Sequence, residues 1–434
     1  MIRKLILGVL PAIASALVVG LVAVSCGGHR GSDKSGGSGD TLTSESAMLT
    51  MVRHDGWISA TIADPWSKGK TLATYCLVPR EAELPADLPK GEDAVVVRTP
   101  VRSAVVYSSV YTRGIEDLGY IQTITGVADA EYFTHGYVRR HLDAGDIVDI
   151  GNSSSPLMER IIDLSPDVLI LSPYEANRND RVLDKTGVAV IRMVDYMETT
   201  PLGRAEWLKL LGALYGDLDK AIAQYDATVG KYREISGRMA LCDVRPMVLT
   251  DTEISGVWYM PGGGSYAARM IGDAGGVVPW NDNTSTGSLP CDYAAVYERA
   301  CGAQVWIMRS FGPVTLAELR KANALNGNIK ALEDGNVYYT DTSTGTYFDD
   351  IAFHPDRILG DYAAMIHPEV MKQALKYFAK AQCPTNRYRY RWVGHYISLF
   401  LGASMSNGRL YLRVFFAEGL YTHRFRLSYK NDVL

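Results

Sequence analysis

Several features are scarce in this chain of 434 residues, and each scarcity removes a class of explanation. Charge of one sign is not in surplus: 44 lysines and arginines face 48 aspartates and glutamates. The chain therefore carries no basic footprint for nucleic acid. Only six cysteines are present, and with Cys26 set aside, Cys76, Cys242, Cys291, Cys301 and Cys383 form an odd set with no C-x-x-C spacing. Buried free thiols, not a disulfide framework, are the expectation. His54, His135, His141, His354, His367, His395 and His423 are spread without ligand spacing, so no metal centre is expected. No G-x-S-x-G elbow, H-E-x-x-H pair or Gly-Lys-Ser/Thr phosphate loop occurs, and no serine or cysteine stands in a recognisable nucleophile setting. The chain is expected to bind rather than to catalyse, and to need no cofactor.

Long apolar runs are equally rare, and the one that exists lies at the beginning. Arg3 and Lys4 precede an apolar run from Leu5 to Val24 that contains Pro11 and ends in small residues before Cys26. Those are the marks of an export signal over residues 1–25. The segment Ala23-Val24-Ser25-Cys26-Gly27 resembles a bacterial lipobox, with Ala23 where leucine is preferred. The resemblance implies a lipid on Cys26 that holds the protein to a membrane in the cell envelope, facing the periplasm. Residues 26–40 are Gly, Ser and charge, too polar to order themselves, and read as a flexible tether. At the other end, residues 383–434 form a basic, aromatic tail of unknown role. Its apolar stretch, Trp392 to Met405, is too short to span a bilayer.

Between these ends the patterning predicts an α/β protein. Alternation from Met48 to Val78, with Asp64-Pro65 and Lys68-Gly69 as turn signals, predicts an initial β-hairpin. Short runs rich in β-branched residues follow: Val95 to Val97, Ala104 to Tyr107, Ile147 to Ile150, Val168 to Leu171 and Val188 to Arg192. They alternate with stretches of helical period, as βαβ units around a parallel sheet do. The alternation resumes at Pro246 to Thr250, Gln304 to Met308 and Asn336 to Thr340. Two Rossmann-like lobes are predicted, at 41–205 and 245–382, joined through 206–244. Within that join, Leu218, Ala221, Ile222, Tyr225, Val229, Tyr232 and Ile235 recur at spacings of three and four. A single long amphipathic helix is expected to act as a strut, with a ligand cleft between the lobes.

Four stretches carry a family resemblance. They are Leu164-Ser165-Pro166-Asp167-Val168-Leu169-Ile170, Glu206-Trp207 to Tyr215-Gly216, Trp258-Tyr259-Met260-Pro261-Gly262-Gly263-Gly264-Ser265-Tyr266, and His354-Pro355-Asp356-Arg357-Ile358-Leu359-Gly360-Asp361 with Ile366-His367-Pro368-Glu369. Together they resemble the helical-backbone class of periplasmic binding proteins over roughly Ala94 to Ala379. The resemblance implies a substrate-binding lipoprotein, monomeric, that hands an iron-siderophore complex, haem or cobalamin to an ABC permease. It also implies a surface acid on each lobe for permease docking. Glu159 matches the first; the second stretch has alanine at the expected place, leaving Asp292 one turn away.

The residues themselves point to a cleft. The Gly262-Gly263-Gly264 loop has no side chains to hold a ligand away, and Ser265 and Tyr266 open the helix after it, where free backbone N–H groups favour an anionic group. Aromatics crowd the ends of the predicted strands: Tyr107, Tyr111, Tyr132, Tyr174, Trp258, Tyr259, Tyr266, Phe311, Tyr347 and Phe348. Ligands of open α/β sheets lie beyond those carboxyl ends. Arg309, after the strand ending in Met308, has two roles open to it: partner of a ligand carboxylate, or a salt bridge closing its own loop. His135, near Tyr132, is a candidate axial ligand should the cargo be haem. A surface-anchored sensor or accessory receptor using the same cleft without transport is the alternative reading.

Overall fold

The computed structural model describes residues 39–89, 94–175, 182–343 and 347–382, together with the backbone of short strands between 391 and 416. The expected export signal, Cys26 and the side chains of the tail lie outside the described residues. In the tail's backbone, Leu399–Ser406 and Arg409–Phe416 pair antiparallel. Among the described residues no helix is long and apolar enough to cross a membrane.

The initial hairpin proves to be part of a larger element. Leu49–Arg53, Ile58–Ala63 and Thr71–Pro79 form an antiparallel meander. Asp40–Thr41 is added at one edge and Ala94–Thr99, in parallel, at the other. The Val95 to Val97 run therefore leaves the lobe's series and joins this sheet. Its burial alternates, with Val97 inside and Val96 outside, as befits a sheet covered on one face. Tyr75 fastens the sheet to the lobe: its hydroxyl donates to Val190 O at 3.0 Å and accepts from Arg192 N at 2.7 Å.

The first lobe is a five-stranded parallel sheet in the order Ala189–Arg192, Val168–Leu171, Ala104–Val106, Ile124–Val127, Val148–Asp149. Strand order reverses between Val168–Leu171 and Ala104–Val106, and that reversal leaves a crevice at the carboxyl ends. The second lobe carries Val248–Thr250, Val305–Ser310 and Val337–Asp341 in parallel, with Ala379–Lys380 antiparallel at the edge. Both lobes have central strands buried on both faces, hence their unbroken apolar runs.

The strut helix runs from Leu218 to Ala240, 23 residues, which at 1.5 Å per residue is about 34 Å. Its first turns, through Leu218 and Ala221, belong to the core of the first lobe; Tyr232 and Met239 belong to that of the second. A Cβ on Gly212 would collide with Ala221, so the preceding helix, Leu208–Leu214, lies hard against the strut.

The chain crosses between lobes a second time at Tyr347–Asp350. Ala352 and Phe353 bury in the core of the first lobe, and the Phe353 ring lies where a side chain on Gly114 would stand. Asp350 accepts from Lys376 at 2.9 Å and from Arg357 at 3.3 Å, and pairs with Arg113 of the first lobe at 3.0 Å. His354 reaches Asp117.

Candidate ligand-binding cleft

At the carboxyl ends of the strands of the second lobe lies a cavity of about 300 Å³. Tyr259, Ser265, Tyr266, Arg309, Tyr347 and Tyr362 line it, and Tyr196 of the first lobe closes it from the far side. Its polar wall is built almost entirely of hydroxyls, and its floor is apolar, with Met270, Ile271, Ile307 and Phe378.

Ser265 and Tyr266 are held by the fold behind them. Ser265 caps the helix Tyr266–Asp273 by accepting from Ala268 N at 3.2 Å. Tyr266 donates to Ile351 O at 3.2 Å, and the Arg204 guanidinium sits 5.6 Å over its ring. Arg204 in turn donates to buried Asp195 at 2.9 Å, which also accepts from Tyr111 at 2.9 Å. Burial raises the phenols of Tyr266, Tyr347 and Tyr362, so they face the cavity as neutral hydroxyls.

Among the described residues, Arg309 and Asp251 form the one ion pair on the wall. Arg309 Nε meets Asp251 Oδ1 at 3.0 Å and its Nη2 meets the other oxygen, a two-point contact. Burial opposes the guanidinium's charge, but the Asp251 carboxylate more than offsets this and raises its pKa. Asp251 stands at φ 53°, a left-handed conformation that aspartate tolerates and most residues do not. Its carboxylate also accepts from Arg309 N at 3.1 Å, and its carbonyl from Trp306 Nε1 at 2.7 Å. Sequence reasoning did not find Asp251, because its partner lies 58 positions away and no local pattern links them.

The sequence-predicted residues fall into three groups. Tyr259, Ser265, Tyr266, Arg309 and Tyr347 come together in the cavity. Three others are turned inward and require correction. Trp258 is 1% exposed, donates to Thr250 O at 2.8 Å and packs on Trp306 and Tyr293, because it occupies the opposite face of the strand from Tyr259. Tyr111 is buried in the first lobe, where it orients Asp195. Tyr107 is buried with Val105, Ala128 and Ile150.

Gly263 is also a correction. A Cβ there would collide with the carbonyl oxygens of Asn283, Asn281 and Trp280, so the glycines admit the protein's own backbone, not a ligand. The remaining residues lie outside the cavity. Tyr132 is 70% exposed on the first lobe, and Phe311, 91% exposed, lines a separate groove with Tyr293 and Asn326. Glu159 is exposed in the first turn of Met158–Leu164. Asp292, also exposed, is occupied as the cap of Tyr293–Ala300, accepting from Ala295 N at 2.7 Å. His135 is buried against Glu116 at 3.1 Å and does not line the cavity. Among the described residues no group of His, Cys, Asp and Glu is arranged to hold a metal ion.

Comparison with known proteins agrees with this architecture. The model of a family described as periplasmic binding protein matches residues 105–344. Two uncharacterized lipoproteins of Methanocaldococcus jannaschii are similar in sequence. One is 30% identical over 311 residues, 68% of this chain and 78% of the relative. The other is 25% identical over 298 residues, 66% and 70% respectively. A periplasmic binding protein from Veillonella parvula shares the fold with a TM-score of 0.54 at 14% identity, covering 72% of this chain and 99% of that one. A periplasmic heme binding protein from Pseudomonas aeruginosa does so with a TM-score of 0.51 at 17% identity, covering 66% and 99%.

Proposed function

The chain belongs to the periplasmic binding protein family, and from that premise we propose that it is the lipid-anchored solute-binding component of an ABC importer for an iron complex, siderophore or haem, or for cobalamin. It is a binding protein and not an enzyme, as its family is. The observation that carries the ligand assignment is the cavity at the strand ends, where Tyr196 of one lobe faces Tyr259, Tyr266, Tyr347 and Arg309 of the other. Planar phenol rings and a guanidinium suit a bulky, partly polar complex. The cavity is the innermost part of the site, and a larger complex extends from it into the open cleft.

The strut sets the mechanics. A helix whose two ends are each embedded in a lobe's core permits small rocking and not wide closure, so the cleft is largely formed before the ligand arrives. Permease docking is assigned to the exposed Glu159 on one lobe and to Asp292 on the other. Asp292 is the weaker partner, since its carboxylate already serves its own helix. Lipid on Cys26 keeps the protein beside the permease.

Titration of the purified mature protein with haem, cobalamin and ferric siderophores in turn tests the proposal, read by visible absorption and by quenching of tryptophan fluorescence. Saturable one-to-one binding of at least one of them, weakened by Tyr259→Ala, is the expected result. Absence of binding by all of them overturns it.

A further inference from the structure

The electrostatics of the cavity narrow the class of ligand, on the premise that the reading above is right. Of the described side chains that line it, only Asp251 and Arg309 are charged, and they neutralise one another. Behind the wall, the Arg204 guanidinium, 5.6 Å from the Tyr266 ring, is matched by Asp195. Everything else polar on the wall is a neutral hydroxyl or backbone. Among the described residues the chamber thus offers a ligand hydrogen bonds and apolar contact but no unmatched charge. A polyanion entering it has to take Arg309 from Asp251, and that leaves a carboxylate facing the incoming negative charge.

Asp251 has no easy way to retreat. Its backbone N–H donates to Ile307 O at 2.9 Å, its carbonyl receives Trp306 Nε1, and its carboxylate holds the backbone N–H of Arg309 as well as the guanidinium. Arg309, by contrast, is 48% exposed at the end of a flexible stem. The negative partner is the fixed one.

We propose that Asp251 is a specificity-determining residue which, by neutralising Arg309, tunes the cleft to chelates without net charge, such as ferric tris-hydroxamates, and against polyanionic catecholates and the dicarboxylate haem. Loss of charge at Asp251 frees the guanidinium and turns the same chamber toward anions. Loss of Arg309 does the reverse.

The test compares three probes by tryptophan quenching at one ionic strength: ferrichrome, which is neutral; ferric enterobactin, which carries three negative charges; and haem. Wild type is expected to bind ferrichrome at least about a hundredfold more tightly than either anion, since each unmatched charge pair is worth an order of magnitude or more. Asp251→Asn, which keeps the shape and tolerates the left-handed backbone, is expected to narrow that preference at least tenfold by tightening the anions. Arg309→Gln is expected to widen it. Tighter binding of an anion by wild type overturns the proposal while leaving the importer reading intact. So does an equal weakening of all bound probes in Asp251→Asn, the signature of a merely structural aspartate. Failure of all three probes to bind wild type removes the proposal together with the iron-complex reading.

Discussion

Trp258 and Tyr259 are neighbours on one strand and point to opposite faces, and the two faces obey different rules. Behind the strand, Trp258, Trp306 and Tyr293 are packed with their polar atoms consumed by Thr250 O, Asp251 O and Asn326. In front, Tyr259 is 52% exposed, and among the described residues its hydroxyl has no hydrogen-bond partner that would fix it. The ion pairs divide in the same way. Asp350, 1% exposed, is shared by Arg113, Arg357, Lys376 and Tyr377 where the chain crosses between lobes, whereas Asp251 and Arg309 meet at the edge of open space. Identical chemistry is scaffold where it is buried and saturated, and is available to a ligand where it is half-exposed with a single partner.

Five substitutions test that division. The largest effect belongs to the buried ring: Trp258→Ala is expected to cost about 3–5 kcal/mol in urea unfolding, the usual toll for emptying a large core site. Asp350→Asn follows at about 3 kcal/mol. It leaves Arg113, 23% exposed, with Glu116 as its remaining carboxylate, and the partial exposure of Arg113, Arg357 and Lys376 keeps the loss at the low end for a broken buried pair. A comparable loss from Asp251→Asn would erase the distinction between scaffold and cleft; for that change a cost under about 1 kcal/mol is expected.

Asp349, 2% exposed at the same crossing, has its carboxyl pushed up to about 6 by burial, with His135 and Arg113 pulling the other way. Between the ordinary aspartate range and pH 6 the folded protein holds a proton that the unfolded chain releases. Stability from this group is therefore fully present at the acid end and falls as pH rises toward 6, by roughly 2–3 kcal/mol in all. Thermal melts across that window should show the decline in wild type and its absence in Asp349→Asn; identical slopes would remove Asp349 as the cause. The smallest effect on stability is at the cleft. Tyr259→Ala should leave unfolding within about 0.5 kcal/mol of wild type while weakening the ligand about tenfold, some 1.4 kcal/mol.

Much of the architecture is legible from the chain because it is written in local periodicity. The strut shows itself in spacings of three and four from Leu218 to Ile235, and the lobes in runs such as Val168 to Leu171, which only a strand buried on both faces requires. What escapes is anything settled by tertiary partners. Val95 to Val97 has the composition of a lobe strand and pairs with the N-terminal sheet instead. Gly262 to Gly264 has the look of a ligand loop, but the need for glycine comes from residues 280–287 passing overhead. Tyr107, Tyr111 and Trp258 lie at the right places along the chain, and only the direction of the side chain, set by packing, takes them out of the cleft. Asp251 illustrates the converse: an acid without a motif becomes the charge partner of the site through a contact between two strand ends.

The position of the bound ligand in a crystal structure of the complex tests the account most directly. It should lie between the lobes at the strand ends, touching Tyr259, Tyr266 and Arg309 on one side and Tyr196 on the other, with Trp258 still buried behind. A ligand seated elsewhere, against the groove of Phe311 or on the N-terminal sheet, would contradict it.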